Sequence, residues 1–183
     1  MKFIKSKLAL CTAAGLAMMG GAAPIAAQDG AEREVEEVVT IGTRREARSA
    51  SDTIAPVDVI SSSDIQDQAG VDVSDLIRTV VPSYQVNTQP ISDAATLVRP
   101  ANLRGLSPDN TLVLLNGKRR HRSAVISFLG GGISDGAHGP DIGVFPVIGL
   151  KQVEVLRDGA SSQYGADAIA GVMNFTLKDA SEG

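Results

Sequence analysis

The chain has 183 residues, with 17 lysines and arginines against 21 aspartates and glutamates, a formal net charge of −4 and one cysteine. That balance excludes a general nucleic-acid binder, which gathers basic residues against phosphates, and one thiol excludes a disulfide framework or a cysteine metal site. With 19 glycines, no tryptophan, two tyrosines and four phenylalanines, few large side chains remain for a core, so the composition predicts a domain that is marginal alone or stabilised from outside.

Residues 1–27 read as an export signal. Lys2, Lys5 and Lys7 precede an apolar run from Leu8 to Met19, and APIAAQ offers small residues for cleavage between Ala27 and Gln28. Gly15, Gly20, Gly21 and Pro24 argue against a retained membrane helix. Cys11 lies inside this segment and follows Leu10, where a lipoprotein site needs a small residue. Losing three lysines takes the net charge from −4 to −7 and leaves about 156 residues, enough for one domain, outside the cytoplasm.

A polar arm over 28–52 comes next. Within it EEVVTIGTR (36–44) reads as a short strand without a sequence neighbour, and REARSASDT reads as linker. PVDVIS (56–61) is a second strand. Ser63 is placed to cap a helix over DIQDQAG, and Ser74 to cap one over DLIRTV, with Leu76, Ile77 and Val80 on one face and Pro82 beyond its end. Gln85 to Ala95 lacks periodicity and reads as loop.

The centre is β. ANLRGL (101–106) reads as a strand, SPDN as a turn and TLVLL (111–115) as a buried strand; Asn116-Gly117 is a strong hairpin signal, leading into a basic strand KRRHRSAVI (118–126). Phe128 to Gly143 is glycine-rich and predicts a mobile loop. FPVIGLKQVEVL (145–156) reads as a short helix and a strand, and VEVLRDGASSQYGADAIAGVMNFTLK (153–178) joins two strands through small residues.

That last stretch carries no catalytic pattern. A phosphate loop requires Lys and Ser or Thr after the glycines, whereas Gly165 is followed by Ala-Asp; a nucleophile elbow requires glycine two residues past its serine, whereas Ser161 is followed by Ser162 and Gln163. Close backbone packing at Gly159, Gly165 and Gly171 is the better reading. Asp135, His138 and Asp141 are too few and too loosely framed for a metal site, and the cluster around His121 has no aromatic neighbour for base stacking. Neither a cofactor nor a metal is expected, and no acid, base and nucleophile converge as in an enzyme. Arg104 and Arg157 each interrupt a strand pattern, and a desolvated guanidinium needs a well-placed carboxylate; Glu154 or Asp158 are internal candidates.

The succession EEVVTIGTR, PVDVIS, VSDLIRTVVPSYQV, ANLRGLSPDNTLVLLNGKRR and VEVLRDGASSQYGADAIAGVMNFTLK resembles the N-terminal part of TonB-dependent outer-membrane receptors, from Glu36 to Lys178. The resemblance implies an α+β plug domain over 53–179, with a small mixed sheet, short helices and long loops. A TonB box would lie at about 36–42, and 180–183 would begin a barrel or form a tail. It implies that Glu37, Val38, Val39, Thr40 and Ile41 pair with the TonB C-terminal domain. Arg104, Glu154 and Arg157 would face the wall of a 22-stranded barrel. Arg119, Arg120, His121, Arg122, Phe128 and His138, with the loops 88–95 and 126–142, would face a scarce nutrient, favouring an anionic metal chelate such as a siderophore-type iron complex. The location implied is the outer membrane, with the arm in the periplasm. No barrel strand pattern follows residue 179, so a stand-alone periplasmic interaction module is the alternative.

Overall fold

Four runs of β-branched and aliphatic residues, each seven residues or shorter, pair into the central sheet of the computed structural model, which describes residues 38–42, 48–49, 55–67, 72–86, 97–127 and 132–180. In chain order the elements are β1 (Val38–Val39), β2 (Arg48–Ser49), β3 (Val57–Ser61), α1 (Ser62–Asp67), α2 (Val73–Val80), β4 (Tyr84–Val86), β5 (Ala101–Leu103), β6 (Thr111–Leu115), β7 (Lys118–Arg119), β8 (Leu150–Leu156), α3 (Ser161–Tyr164) and β9 (Gly171–Leu177). The main sheet has the order β3-β8-β9-β6-β7, with β6 and β9 parallel and the other pairs antiparallel. Two small antiparallel pairs, β1-β2 and β4-β5, accompany it. The expected α+β class with a small mixed sheet is what the chain forms. Among the described residues no helix is long and apolar enough to cross a membrane.

Strand alternation sends side chains to two faces. On the first lie Ile60, Val113, Val153, Val155, Met173 and Phe175, covered by Ile65 of α1 and by Val73, Leu76 and Ile77 of α2. Phe145 packs on Phe175 with ring centroids 4.5 Å apart. A register irregularity between Leu150 and Gln152 puts Leu150 and Val153, three residues apart, on this same face. Tyr84 is fully buried there, and desolvation pushes its phenol well above its ordinary range, so it stays neutral.

The helix caps differ from expectation. Ser61 rather than Ser63 caps α1: its Oγ accepts from the Asp64 amide while the Asp64 carboxylate accepts from the Ser61 amide, a reciprocal box. Asp72 is the N-cap residue of α2, and Ser74 is buried one residue inside the helix. Gln85 and Val86, expected in a loop, extend β4 because Gln85 and Val86 pair with Asn102 and Ala101. The Asn116-Gly117 hairpin forms as predicted, both residues with positive φ, but the strand after it ends at Arg119 rather than continuing through the basic run.

The glycine-rich stretch expected to be mobile is tied down over 132–143. Ser127 and Ala137 pair through backbone, Ser134 and Asn102 exchange side-chain hydrogen bonds in the interior, and Ile142 is fully buried.

Candidate functional site

The second face of the sheet presents Leu112, Leu114, Leu156 and Val172, with Val57 and Val59 at its margin. Among the described residues no helix of the size of α2 lies there, and the cover is the segment 39–42. Val39 is 0% exposed and Ile41 2%, and both pack into this smaller core together with Ala160, Ala168 and Tyr164. The short strand expected to lack a local neighbour therefore has one, pairing Val38 with Ser49 and Val39 with Arg48. It does not hydrogen-bond to the main sheet as a strand. It lies across it and is held at two points.

The first point is Glu154. This side chain, 0% exposed in the middle of β8, faces the second side of the sheet, between Val153 and Val155 of the first. Its carboxylate accepts from the Thr40 amide (3.0 Å), the Thr40 hydroxyl (2.9 Å to the nearer oxygen), the Gln152 amide (2.6 Å) and the Asn174 amide (3.3 Å). All four donors are neutral, and a buried carboxylate is tolerable only where its lone pairs are filled in this way. Glu154, expected to face an outer wall, instead holds the N-proximal segment. The second point is Tyr164, whose hydroxyl accepts from the Gly42 amide at 3.2 Å. Beside Thr40 opens a cleft of about 610 Å³ lined by Asn116, Gln152, Asn174, Thr176 and Lys178. Glu37 lies outside the described residues.

Arg104 and Arg157 end strands rather than interrupt them. Arg104 follows β5 with φ of 57°, forming with Gly105 a tight turn closed by the Leu106 amide on the Leu103 carbonyl. Among the described residues the carboxylate within ion-pair reach is that of Asp158, at 4.0 Å. Arg157 follows β8 and meets Asp58 of β3 side by side, Nη2 donating to Oδ1 at 3.0 Å with Nε 2.6 Å from Oδ2. The internal partner is thus Asp58, not Glu154. Close packing is required at Gly171, where a Cβ would stand 2.3 Å from the Leu156 carbonyl oxygen; at Gly159 the nearest atom would be at an ordinary 3.4 Å.

The basic run lines a cleft of about 150 Å³ with Asp109, His138 and Asp167. Its charges are largely occupied. Arg119 pairs with Asp167 and donates to the Tyr164 carbonyl, Arg122 lies 3.7 Å from Asp109, and Arg120 stacks over Phe145 at 5.6 Å. The His138 ring meets the Ser123 carbonyl, and its backbone amide donates to Asp109. The Asp141 carboxylate accepts from the backbone amides of Arg99 and Gly143. Among the described residues no three His, Cys, Asp or Glu side chains gather as a metal site. Phe128 and the 88–95 loop lie outside the described residues.

Asp58, Asp109, Asp167, Asn174 and Tyr164 were not singled out by sequence. Each partners a residue dozens of positions away, and no local spacing announces that.

A small mixed sheet, with helices on one face and the chain's own N-proximal strand on the other, joined through a glycine-tight β8–β9 connection, is the arrangement of a plug-type receptor domain. The chain belongs to the TonB-dependent Receptor Plug Domain family, whose profile matches residues 49–172. It is 29% identical over 178 residues to the vitamin B12 transporter BtuB of Vibrio cholerae, covering 97% of this chain and 26% of that protein. It is 31% identical to the ferric enterobactin receptor PirA of Pseudomonas aeruginosa, covering 80% of this chain and 20% of the receptor. Among solved structures, an enterobactin-bound variant of the P. aeruginosa ferric enterobactin receptor PfeA matches with a TM-score of 0.51 and 30% identity, over 69% of this chain and 18% of that one. The chain thus spans about a quarter or less of the proteins it matches, and these are named as transporters and receptors.

Proposed function

We propose that this plug closes the lumen of an outer-membrane β-barrel, takes part in the uptake of a scarce nutrient, and is opened through segment 37–41 by the C-terminal domain of TonB. The observation that carries the reading is the docked segment. Val39, Thr40 and Ile41 cover one face of the sheet through few hydrogen bonds and a two-residue ladder, so they can leave without dismantling β3, β6, β8 or β9. A released strand offers its backbone for addition to a partner's sheet edge, a mode that needs little from its side chains. Leu97 and Ile148, 79% and 84% exposed, with Ile133 and Val144, are apolar surface that a surrounding wall would cover. Arg104 is available to the same wall.

Relatives named for vitamin B12 and ferric enterobactin favour a large, chelated nutrient, and a siderophore-type iron complex is our reading. The cleft of about 150 Å³ is too small to enclose one, since ligand sites run to roughly 300–1,000 Å³. The remaining contacts would come from the barrel, and the paired arginines lend less positive charge than the sequence suggests. The test is crosslinking from position 38 to TonB in intact cells. Val39→Pro should abolish it by removing a donor and fixing φ. Crosslinking that survives the proline contradicts the reading.

A further inference from the structure

We infer that Arg119 and Tyr164 form a relay coupling the basic cleft to the hold on segment 39–42. The inference rests on the proposed function only in taking that segment to be the working end.

Three observations meet here. Arg119 pairs across the hairpin with Leu114, which belongs to the second-face core, so its side chain is delivered to that same face. There its guanidinium reaches two groups of one loop, the Asp167 carboxylate and the Tyr164 carbonyl. The Tyr164 hydroxyl, at the other end of the same residue, accepts from the Gly42 amide, and the ring packs against the core that contains Val39 and Ile41. One residue thus carries Arg119 on its backbone and the segment on its side chain.

The loop is shaped for this contact. Gly165 has φ of 94°, and a Cβ there would stand 3.3 Å from the Arg119 terminal nitrogen, so both the backbone angle and the approach of the arginine disfavour a larger residue. The loop is closed at its base by the Ala160 amide on the Ala168 carbonyl, so a displacement of Tyr164 is not absorbed by opening the loop elsewhere.

Arg119 also lines the cleft with Arg120, His121 and Arg122. Any oxyanion entering it competes with Asp167 and the Tyr164 carbonyl for the same donors. Its occupation loosens Tyr164 and weakens the grip on Gly42, while the Glu154 contact to Thr40 is untouched. Arg119 and Tyr164 are positioning residues, acting on the segment and on nothing chemical.

A relay in which Arg119 acts on the segment only through Tyr164 predicts that removing Arg119 adds nothing once the Tyr164 hydroxyl is gone, whereas two separate effects on the segment would multiply. The experiment is amide exchange read by mass spectrometry on the protein as produced from its own gene, without TonB and without nutrient, for the wild type, Arg119→Gln, Tyr164→Phe and the double variant. Each single change should speed exchange in the peptide holding Ile41 and Gly42 by about tenfold, and the double variant should be no faster than Tyr164→Phe alone. Peptides from β8 and α2 should keep wild-type rates, showing that the sheet is intact. An unchanged rate in Arg119→Gln, a double variant whose effects multiply, or acceleration spread equally over β8 and α2 overturns the relay. Because TonB is absent, a failure of the TonB reading leaves this result standing, and the crosslinking experiment above is what decides that reading.

Discussion

The two faces of one sheet are closed by different means. The first face buries Val113, Val153, Val155, Met173 and Phe175 under the apolar stripe of α2 and Ile65 of α1, which complete the core. The second buries Leu112, Leu114, Leu156 and Val172 under a strand segment ladder-paired at two residues, with a carboxylate, Glu154, at its centre. A core covered by helices fails only when the domain unfolds. A core covered by a detachable strand can open while the rest stays folded, which is the property a gated plug requires.

Breaking the first face should cost most. Phe175→Ala removes a fully buried ring stacked on Phe145 and should destabilise the whole domain by about 3–5 kcal/mol, seen as a lower denaturant midpoint for every probe.

Breaking the second face has a ceiling. Ile41→Ala removes buried methylene and methyl groups at a site where such truncation ordinarily costs about 2–5 kcal/mol. The loss stops growing once the segment leaves, however, so the global midpoint should fall by less than in Phe175→Ala while proteolysis near residues 39–42 accelerates. Val39→Ala belongs to the same class, because Val39 is fully buried: neutral for backbone pairing with a partner, it favours release.

Glu154→Gln sharpens the contrast, since it keeps the shape and turns one acceptor head into a donor facing the Thr40, Gln152 and Asn174 donors. Hydrogen bonds to a charged group contribute about 1.5–3 kcal/mol. Docking should weaken by an amount of that order, measured as faster exchange at Thr40, with the first face unaffected. The smallest effect belongs to Arg78→Ala on the solvent side of α2. Its pair with Asp75 is exposed on both partners, and the change should move stability by no more than about 0.5 kcal/mol in a denaturant titration.

The sequence is most informative where structure is local. The Asn116-Gly117 hairpin, the β6 and β9 strands and the end of α2 before Pro82 follow from turn chemistry and apolar runs. The reciprocal cap of α1 was also legible, since Ser61 and Asp64 have the spacing of a capping box, but Ser63 offers the same chemistry two residues later. Glu154 was misplaced for a physical reason. Alternation alone shows that it points away from Val153 and Val155, and whether that face meets solvent, a wall or another part of the chain depends on Thr40, 114 residues away. The same holds for Arg157 with Asp58 and Arg119 with Asp167, separated by 99 and 48 residues. Long-range pairing of that kind leaves no periodicity to read.

The central claim is that the cover of the second face opens independently of the sheet beneath it. Native-state hydrogen exchange across a series of low denaturant concentrations measures this directly, because local openings expose little surface and depend weakly on denaturant, whereas global unfolding depends on it steeply. The amides of Thr40, Ile41 and Gly42 should exchange through a denaturant-insensitive opening of lower free energy, while those of Val153, Val155 and Met173 exchange only with global unfolding. A single free energy and a single steep denaturant dependence shared by both sets would contradict the account.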